Sequence, residues 1–284
     1  MTQERLILTI SCPDRIGIVA AVAGYLAAHQ CFITDSNHFG DTDTNNFFMR
    51  TVFVLPSHLS VQTIERSFAA VAEKFEMVAH FAAATHKTRT LLMASKLEHC
   101  INDLLHRMRI GSLAIDVPLV VSNHETLRGL VEWNGIPFVH LPVTAENRAF
   151  QEARLLELID AYQIELVVLA RYMQVLSPEI CERLSGRIIN IHHSFLPSFR
   201  GARPYAQAYA RGVKLIGATA HYVTDLLDEG PIIEQAVERV NHDSTIADLT
   251  AVGRDVERVV LARAVTDHVE RRVLLNGNKT VVFR

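Results

Sequence analysis

The length, composition and charge of the chain exclude several classes of protein. Its 284 residues are 49% hydrophobic and 21% charged, which is typical of a globular protein long enough to form two domains. The 28 Lys and Arg residues and 31 Asp and Glu residues give a net charge of −3. Because no basic run or stripe is present, we expect no nucleic-acid partner. No apolar stretch approaches the roughly 20 residues of a membrane span, so we expect no membrane partner.

The cysteines favour a reducing compartment. The first ten residues, MTQERLILTI, do not resemble a signal peptide. The cysteines contain no CxxC pair, and their positions are Cys12, Cys31, Cys100 and Cys181. We therefore expect reduced thiols and a cytoplasmic location.

Residues 1–84 predict a small domain of the split ferredoxin-like type. Their hydrophobic pattern changes between period two and helical spacing in the order βαββαβ, which places both helices on one face of an antiparallel sheet. The predicted elements are a strand at 5–11, a helix at 16–30, strands at 31–40 and 45–55, a helix at 60–75 and a strand at 76–84.

Residues 90–284 predict a second domain, with the polar segment 85–89 as the linker. Buried strands alternate with helices, which is typical of a doubly wound, mainly parallel sheet. Ligands bind such sheets outside the carboxyl ends of the strands. We also predict a long helix at 244–272 with a break near Gly253, and a final hairpin at 273–283 with an Asn-Gly turn. The other predicted strands are at 90–95, 116–123, 137–142, 164–170, 187–193, 217–223 and 231–240.

Polar side chains end the fifth strand of this domain, in the sequence RIINIHH (187–193). Side chains alternate along a strand, so Asn190 and His192 share one face. An amide and an imidazole that point together into a crevice suit an oxygen that becomes negative in a transition state. The alternative is that two polar residues merely cap the end of a strand, and the pattern alone leaves both interpretations open.

A second pair of polar residues follows in AHYVTDLLDEGP (220–231), where His221 and Asp228 lie seven residues apart. A carboxylate beside an imidazole can orient water and transfer protons. Because Asp225 and Glu229 stand nearby, the alternative is a solvated acidic loop, which the spacing alone favours.

The histidines do not indicate a metal centre. His192, His193 and His221 do not follow the H-E-x-x-H or H-x-x-E-H spacing of zinc enzymes. The turn DTDTNN (41–46) begins like a calcium loop, but Asn46 stands where that loop needs Gly and Val52 where it needs Glu. We predict no metal site.

Residues 190–235 resemble the core of the folate-dependent formyltransferase family, and the resemblance extends over roughly 88–284. The family pattern is Asn-x-His, Ser-x-Leu-Pro, a Gly-Ala turn, and a His…Asp loop before Gly-Pro. The matching residues in order are Asn190, His192, Ser194, Leu196, Pro197, Gly201, Ala202, His221, Asp228, Gly230 and Pro231. The resemblance implies that Asn190, His192 and Asp228 are catalytic and that the substrate is a formylated folate, with no further cofactor.

We expect the folate ring to lie in a crevice whose apolar wall is Met173, Val175 and Leu176. Backbone groups of the 224–228 loop are expected at its polar edge, and the further substrate-binding residues expected are His221, Thr224 and Asp225. Ordinary core packing is the alternative interpretation of the three apolar residues.

The N-terminal sequence CPDRIGIVAAVAGYLA (12–27) is similar to ACT domains, which sense amino acids. The similarity implies a ligand and interface region at Asp14, Arg15 and Gly17, with glycine or methionine as the effector and a homo-oligomeric protein. The fusion of an ACT domain to this catalytic domain resembles the members of the family that hydrolyse 10-formyltetrahydrofolate to tetrahydrofolate and formate. Such enzymes supply formate for purine synthesis and balance the one-carbon folate pools.

The formyl acceptor is indicated by the segment LLMASKLEHCINDLL (91–105), which contains no glycine. Glycinamide ribonucleotide formyltransferases carry a Gly-rich loop here, whose N–H groups hold a phosphate. Ser95 and Glu98 instead predict a capping box that occupies those N–H groups, which favours water as the acceptor. The alternatives are a phosphoribosylglycinamide formyltransferase and a non-catalytic regulator that binds folate or an amino acid.

Overall fold

The computed structural model describes residues 4–197 and 204–284, with Pro204 described by its backbone alone. Residues 1–86 and 270–284 form one compact unit, and residues 87–269 form the other. The predicted Gly201-Ala202 turn lies outside the described residues. Within the described ranges, no helix has both the length and the apolar character needed to cross a bilayer.

The N-terminal unit has the predicted order βαββαβ. Its elements are β1 (Arg5–Pro13), α1 (Ile18–Ala28), β2 (Phe32–Asp41), β3 (Asn46–Val54), α2 (Val61–Phe75) and β4 (Val78–Ala83). The four strands form an antiparallel sheet in the order β2-β3-β1-β4. Alternate residues of β1 (Leu6, Leu8 and Ile10) are fully buried in the core, as the period of a one-sided sheet requires. This confirms the ferredoxin-like prediction.

The second unit contains the elements β5 (Thr88–Ala94), α3 (His99–Arg109), β6 (Ile115–Asp116), β7 (Val120–Ser122), α4 (Arg128–Trp133), β8 (Phe138–His140), α5 (Arg148–Ala161), β9 (Leu166–Leu169), α6 (Pro178–Arg183), β10 (Ile188–His192), α7 (Pro204–Arg211), β11 (Leu215–Tyr222), β12 (Ile232–Arg239) and α8 (Ile246–Val269). Its sheet has the order β12-β11-β10-β9-β5-β7-β8, and β6 pairs with β5. Neighbours from β10 to β8 are parallel, whereas β11 and β12 are antiparallel. The predicted mainly parallel sheet is therefore confirmed.

Two local predictions in this unit are wrong. The strand β5 begins at Thr88, so the last two residues of the predicted linker, Thr88 and Arg89, pair with β6. The helix α8 runs unbroken through Gly253. A Cβ atom at Gly253 would lie 2.1 Å from the hydroxyl oxygen of Tyr205, so the glycine admits the tyrosine ring and does not interrupt the helix. A glycine within a helix often has such a packing reason.

The chain ends in the predicted hairpin, formed by β13 (Val273–Asn276) and β14 (Lys279–Val282). The predicted second domain extended to residue 284, but the structure groups this hairpin with the N-terminal unit. Leu274 and Phe283 form a buried cluster with Phe48 of β3. The amide of Asn276 also donates a hydrogen bond of 2.5 Å to Asp41. These long-range contacts explain the grouping.

Candidate active site

A cavity of about 500 Å³ opens at the carboxyl ends of the strands of the second unit. The chain continues from β5 to β7 and β8 on one side of the sheet, and to β9 and β10 on the other. Such a reversal of strand order leaves a crevice at the carboxyl ends of the strands. All nine residues predicted for catalysis or folate binding line this cavity: Asn190, His192, Asp228, Met173, Val175, Leu176, His221, Thr224 and Asp225.

His192 and Asp228 form a hydrogen-bonded pair. The Nδ1 atom of His192 lies 3.1 Å from an Asp228 carboxylate oxygen, and both side chains are largely buried. Burial alone would raise the pKa of Asp228, but the hydrogen bond from His192 and the charge of that ring outweigh it and hold the pKa below its usual range. The ionised carboxylate therefore accepts the hydrogen on Nδ1 of His192. Among the described residues no group pairs with Nε2 of His192, so this atom can serve a ligand in the cavity.

Asn190 is oriented by His221, its direct partner across the antiparallel pair of β10 and β11. The Nδ1 atom of His221 lies 2.9 Å from the carbonyl oxygen of Tyr222, which can only accept. Nδ1 therefore carries the hydrogen, and in the neutral ring Nε2 accepts from the Asn190 amide at 3.2 Å. This assignment fixes which end of the amide faces His221. No other described residue engages the second amide hydrogen of Asn190, which can therefore serve a ligand.

The loop that carries Asp228 is held in an unusual backbone conformation. Asp228 has a φ of 57°, in the left-handed region that non-glycine residues seldom adopt. Two residues later, a Cβ atom at Gly230 would lie 1.7 Å from the carbonyl oxygen of Tyr222. Glycine is thus required where the loop returns against β11, and this close approach sets the position of Asp228.

We predict that Gly230→Ala lowers both stability and activity, because the added methyl group forces the 224–230 loop away from Tyr222 and displaces Asp228. Overpacking of this kind costs about 1–3 kcal/mol of unfolding free energy. Urea unfolding and turnover of the variant measure the two effects. The matched control is Gly129→Ala in α4, where a Cβ atom meets nothing within 4 Å. Equal behaviour of the two variants would contradict the close-approach argument.

The low pKa of Asp228 predicts how its contribution to stability depends on pH. A carboxyl group whose pKa is lower in the folded protein stabilises the fold fully above its unfolded pKa of about 3.9, and loses that contribution as the pH falls through the folded value. The difference in unfolding free energy between the wild type and Asp228→Asn should therefore stay level between about pH 6 and 5, and shrink only below about pH 4. Urea titrations followed by Trp133 fluorescence measure it. A difference that grew toward pH 4 would contradict the assignment.

The apolar wall of the cavity contains two exposed side chains and one buried side chain. Met173 and Val175 are 56% and 54% exposed, whereas Leu176 is 8% exposed and belongs to the core. The Ser95 hydroxyl accepts from the Met173 N–H at 2.9 Å and donates to Asn123 at 2.7 Å. The core-packing interpretation therefore applies to Leu176, which also lines the cavity, and not to the two exposed residues.

The predicted capping box is wrong. The helix α3 begins at His99, and in the described chain its N-cap residue Glu98 makes no side-chain capping bond. Ser95 is instead engaged with the Met173 loop. The sequence pattern failed because a serine at the end of a buried strand has partners on neighbouring strands as well as in the following helix.

Other residues that line the cavity were missed as candidates, among them Arg171, His193, Tyr205 and Glu257. Glu257 lies in α8 and is 1% exposed. A signal was present in the sequence, because a glutamate at a position of α8 otherwise occupied by buried apolar residues requires a buried partner. Arg171 comes just after a buried strand, and its charge likewise requires a buried partner.

One group of side chains has ligand atoms close enough for a metal ion. Ligand atoms of His99, Cys100 and Glu257 lie within 4.8 Å of one another. The same Glu257 oxygen that faces His99 lies 3.3 Å from the guanidinium of Arg171. A fixed positive charge at that distance repels a metal cation, so this cluster does not suit one.

The N-terminal unit has its own surface depression, whose lining includes Asp14, Arg15 and Gly17. Gly17 precedes α1 with a φ of 97°, which glycine adopts readily. Arg15 forms an ion pair with Glu76. The three residues predicted as a regulatory site thus lie together in this unit.

The fold and the site define a class of enzymes that handle one-carbon acyl groups, and the chain belongs to the formyl transferase family, whose model matches residues 88–265. It is 51% identical, over 99% of both chains, to a formyltetrahydrofolate deformylase of Corynebacterium sp. (strain P-1). The crystal structure of a formyltetrahydrofolate deformylase from Burkholderia mallei superposes with a TM-score of 0.95, at 52% identity, over 99% of this chain and 100% of that one. Glycinamide ribonucleotide transformylase 1 from Symbiobacterium toebii reaches a TM-score of 0.67 at 30% identity, over 70% of this chain and 95% of that one.

Proposed function

We propose that this protein hydrolyses 10-formyltetrahydrofolate to tetrahydrofolate and formate, with water as the formyl acceptor. The observation that carries the proposal is the similarity to deformylases over both units of the chain. The match to the ribonucleotide transformylase, in contrast, covers 70% of the chain. The geometry of Asn190, His192 and Asp228 supports the same chemistry.

The formyl oxygen binds between the free amide hydrogen of Asn190 and Nε2 of His192. When His192 is protonated, both groups donate to the oxygen, which becomes negative as water attacks the formyl carbon. Asp228 accepts the hydrogen on Nδ1 of His192 and, through its other oxygen, orients the water and takes its proton. The new C–O bond forms, the bond from carbon to N10 breaks, and the proton returns to N10.

The folate ring lies against the exposed side chains of Met173 and Val175 and the edge of Leu176. Thr224 and Asp225, on the loop that leads to Asp228, bound the polar side. We propose that the folate itself is the sole small molecule the reaction requires. His221 supports the site through the orientation of Asn190.

The surface near the start of α3 supports water rather than a nucleotide as the acceptor. A depression there is lined by equal numbers of cationic and anionic residues: Lys96, Arg254, Arg258, Glu98, Asp103 and Asp255. Arg258 is already paired with Asp255 at 3.0 Å and with Asp103 at 3.7 Å. Carboxylates at this position disfavour a phosphate.

The proposal is tested by turnover of 10-formyltetrahydrofolate without an added acceptor, with tetrahydrofolate and formate quantified together. Equal amounts of the two products are expected. Turnover that begins only when glycinamide ribonucleotide is added would show a transferase. A protein that binds the folate and turns over neither mixture would be the non-catalytic regulator.

We further propose that the N-terminal unit is an ACT-type regulatory domain that binds glycine or methionine at Asp14, Arg15 and Gly17, and that the protein is a cytoplasmic homo-oligomer. Exposed apolar residues on the edge strands β2 and β4, namely Phe32 at 71% and Val78 at 57%, support self-association. Calorimetric titration with the two amino acids tests the effector. If neither binds, the unit retains only the role in assembly, which sedimentation measures.

A further inference from the structure

Behind the catalytic histidine lies a buried carboxylate that the proposed reaction does not use. Glu257 of α8 is 1% exposed. It accepts hydrogen bonds from Tyr205 at 2.5 Å and from His99 at 2.8 Å, and it lies 3.3 Å from Nε of Arg171. Burial raises the pKa of Glu257, but the hydrogen bonds and the charge of Arg171 outweigh it and place that pKa below its usual value. An ionised carboxylate is therefore fixed inside the unit.

Arg171 transmits this interaction to the second histidine of the site. It is 9% exposed, and its backbone has a left-handed φ of 65°. Nη1 of Arg171 hydrogen-bonds Nδ1 of His193. Because a guanidinium keeps its protons and can only donate, Nδ1 of His193 must accept. His193 is then the neutral tautomer with its hydrogen on Nε2.

His193 stacks on the catalytic histidine. The ring centroids of His192 and His193 are 5.0 Å apart with an interplanar angle of 15°, and Tyr205 covers His193 at 6.3 Å. Within the described ranges, the charged or titratable groups around His193 include His192 at the end of β10, Arg171 after β9, Tyr205 of α7 and, through Arg171, Glu257 of α8. Protonation of both stacked imidazoles at the same time is disfavoured, because two positive charges at this distance repel each other.

We propose that Glu257 and Arg171 are positioning residues that hold His193 neutral and stacked, so that the positive charge of the histidine pair resides on His192. This inference rests on the proposed hydrolysis and assigns to it two residues that do not contact the reacting atoms. If His193 took the proton instead, Nε2 of His192 would lack the hydrogen that the developing oxyanion requires.

The packing of α8 supports a specific arrangement rather than a chance contact. Gly253 lies one turn before Glu257 on the same helix face. A Cβ atom at Gly253 would come within 2.4 Å of three atoms of Tyr205. The glycine therefore admits the tyrosine that donates to Glu257, and Gly253→Ala offers a way to disturb Glu257 without changing a charge.

The first experiment measures kcat and KM of Glu257→Gln, which keeps the shape of the side chain and removes its charge. The expected result is a fall in kcat of about 10-fold or more with KM within about twofold, because the change acts on charge stabilisation in the transition state. The control is Glu234→Gln. The Glu234 side chain is 5% exposed, lies 3.7 Å from Arg263 and is not among the residues that line the cavity. Tetrahydrofolate binding and thermal melting establish that each variant is folded. Equal kcat values for the two variants would overturn the proposal.

The second experiment reads the tautomer directly, from nitrogen NMR shifts of the protein labelled in its histidine rings. Signals are assigned by their loss in His192→Asn and His193→Asn. In the wild type, His193 should remain neutral with its hydrogen on Nε2 from about pH 8 to about pH 5.5, whereas in Arg171→Met it should take up a proton in that range. A wild-type His193 that becomes doubly protonated would overturn the proposal. Absence of wild-type hydrolysis without an acceptor would instead overturn the proposed function, so the two failures are distinct.

Discussion

Asn190→Ala is expected to lower kcat for the hydrolysis of 10-formyltetrahydrofolate by about 100- to 1000-fold, with little change in KM. Loss of one donor to an oxyanion has an effect of this size in other enzymes, because the donor is most important when the oxygen is negative. The structure supplies the geometric reason. His221 engages one amide hydrogen of Asn190 at 3.2 Å, which leaves the other for the formyl oxygen.

A shape-preserving variant separates this role from packing. Asn190→Asp keeps the size of the side chain but removes both amide hydrogens and adds a negative charge beside the developing oxyanion. It should therefore be at least as slow as Asn190→Ala. The control is Asn134→Ala, which removes an amide that bonds to the backbone of its own helix, at Leu130, far along the sequence from the site. Near-normal turnover by either Asn190 variant would refute an oxyanion role.

Asp228→Asn is expected to lower kcat by about 100- to 10,000-fold, the range typical of a lost general base. The amide can still accept the hydrogen on Nδ1 of His192, so the arrangement at 3.1 Å is expected to persist in the variant. What is lost is the negative charge that orients the water, accepts its proton and balances a protonated His192. KM should change little, because the folate wall is formed by other residues.

The neighbouring carboxylate provides the control for this variant. Glu229→Gln removes a charge one residue later on the same exposed loop, and its turnover should remain within about twofold of the wild type. A second check is the pH profile, since Asp228 is ionised throughout the neutral range and should add no acid limb there. Equal losses in Asp228→Asn and Glu229→Gln would indicate a general effect of loop charge instead of a specific base.

Much of the fold could be predicted because its signals are local. Alternating apolar residues marked β1, and continuous apolar runs marked the parallel strands that are buried on both faces. The same alternation placed Asn190 and His192 on one face of β10, and both line the cavity. Asp228 lies 36 residues after His192, and sequence spacing alone could not place it in the site. The resemblance to a family predicted that it belongs there.

The features that could not be predicted depend on partners distant in sequence. The final hairpin joins the N-terminal unit because Asn276 meets Asp41, and no local pattern encodes that pairing. The continuity of α8 depends on Tyr205 filling the space over Gly253. Glu257 lines the cavity and pairs with Arg171, which reaches it from the end of another strand. The effector, the oligomeric state and the individual catalytic roles stay predictions.

The central claim is that water attacks the formyl carbon at the site formed by Asn190, His192 and Asp228. The most direct test is a single turnover of 10-formyltetrahydrofolate in ¹⁸O-labelled water, followed by mass analysis of the formate. Formate that carries one labelled oxygen per tetrahydrofolate formed, at a rate lowered in Asn190→Ala and Asp228→Asn, is the predicted result. Tetrahydrofolate released without labelled formate, or labelling at the wild-type rate in both variants, would contradict it.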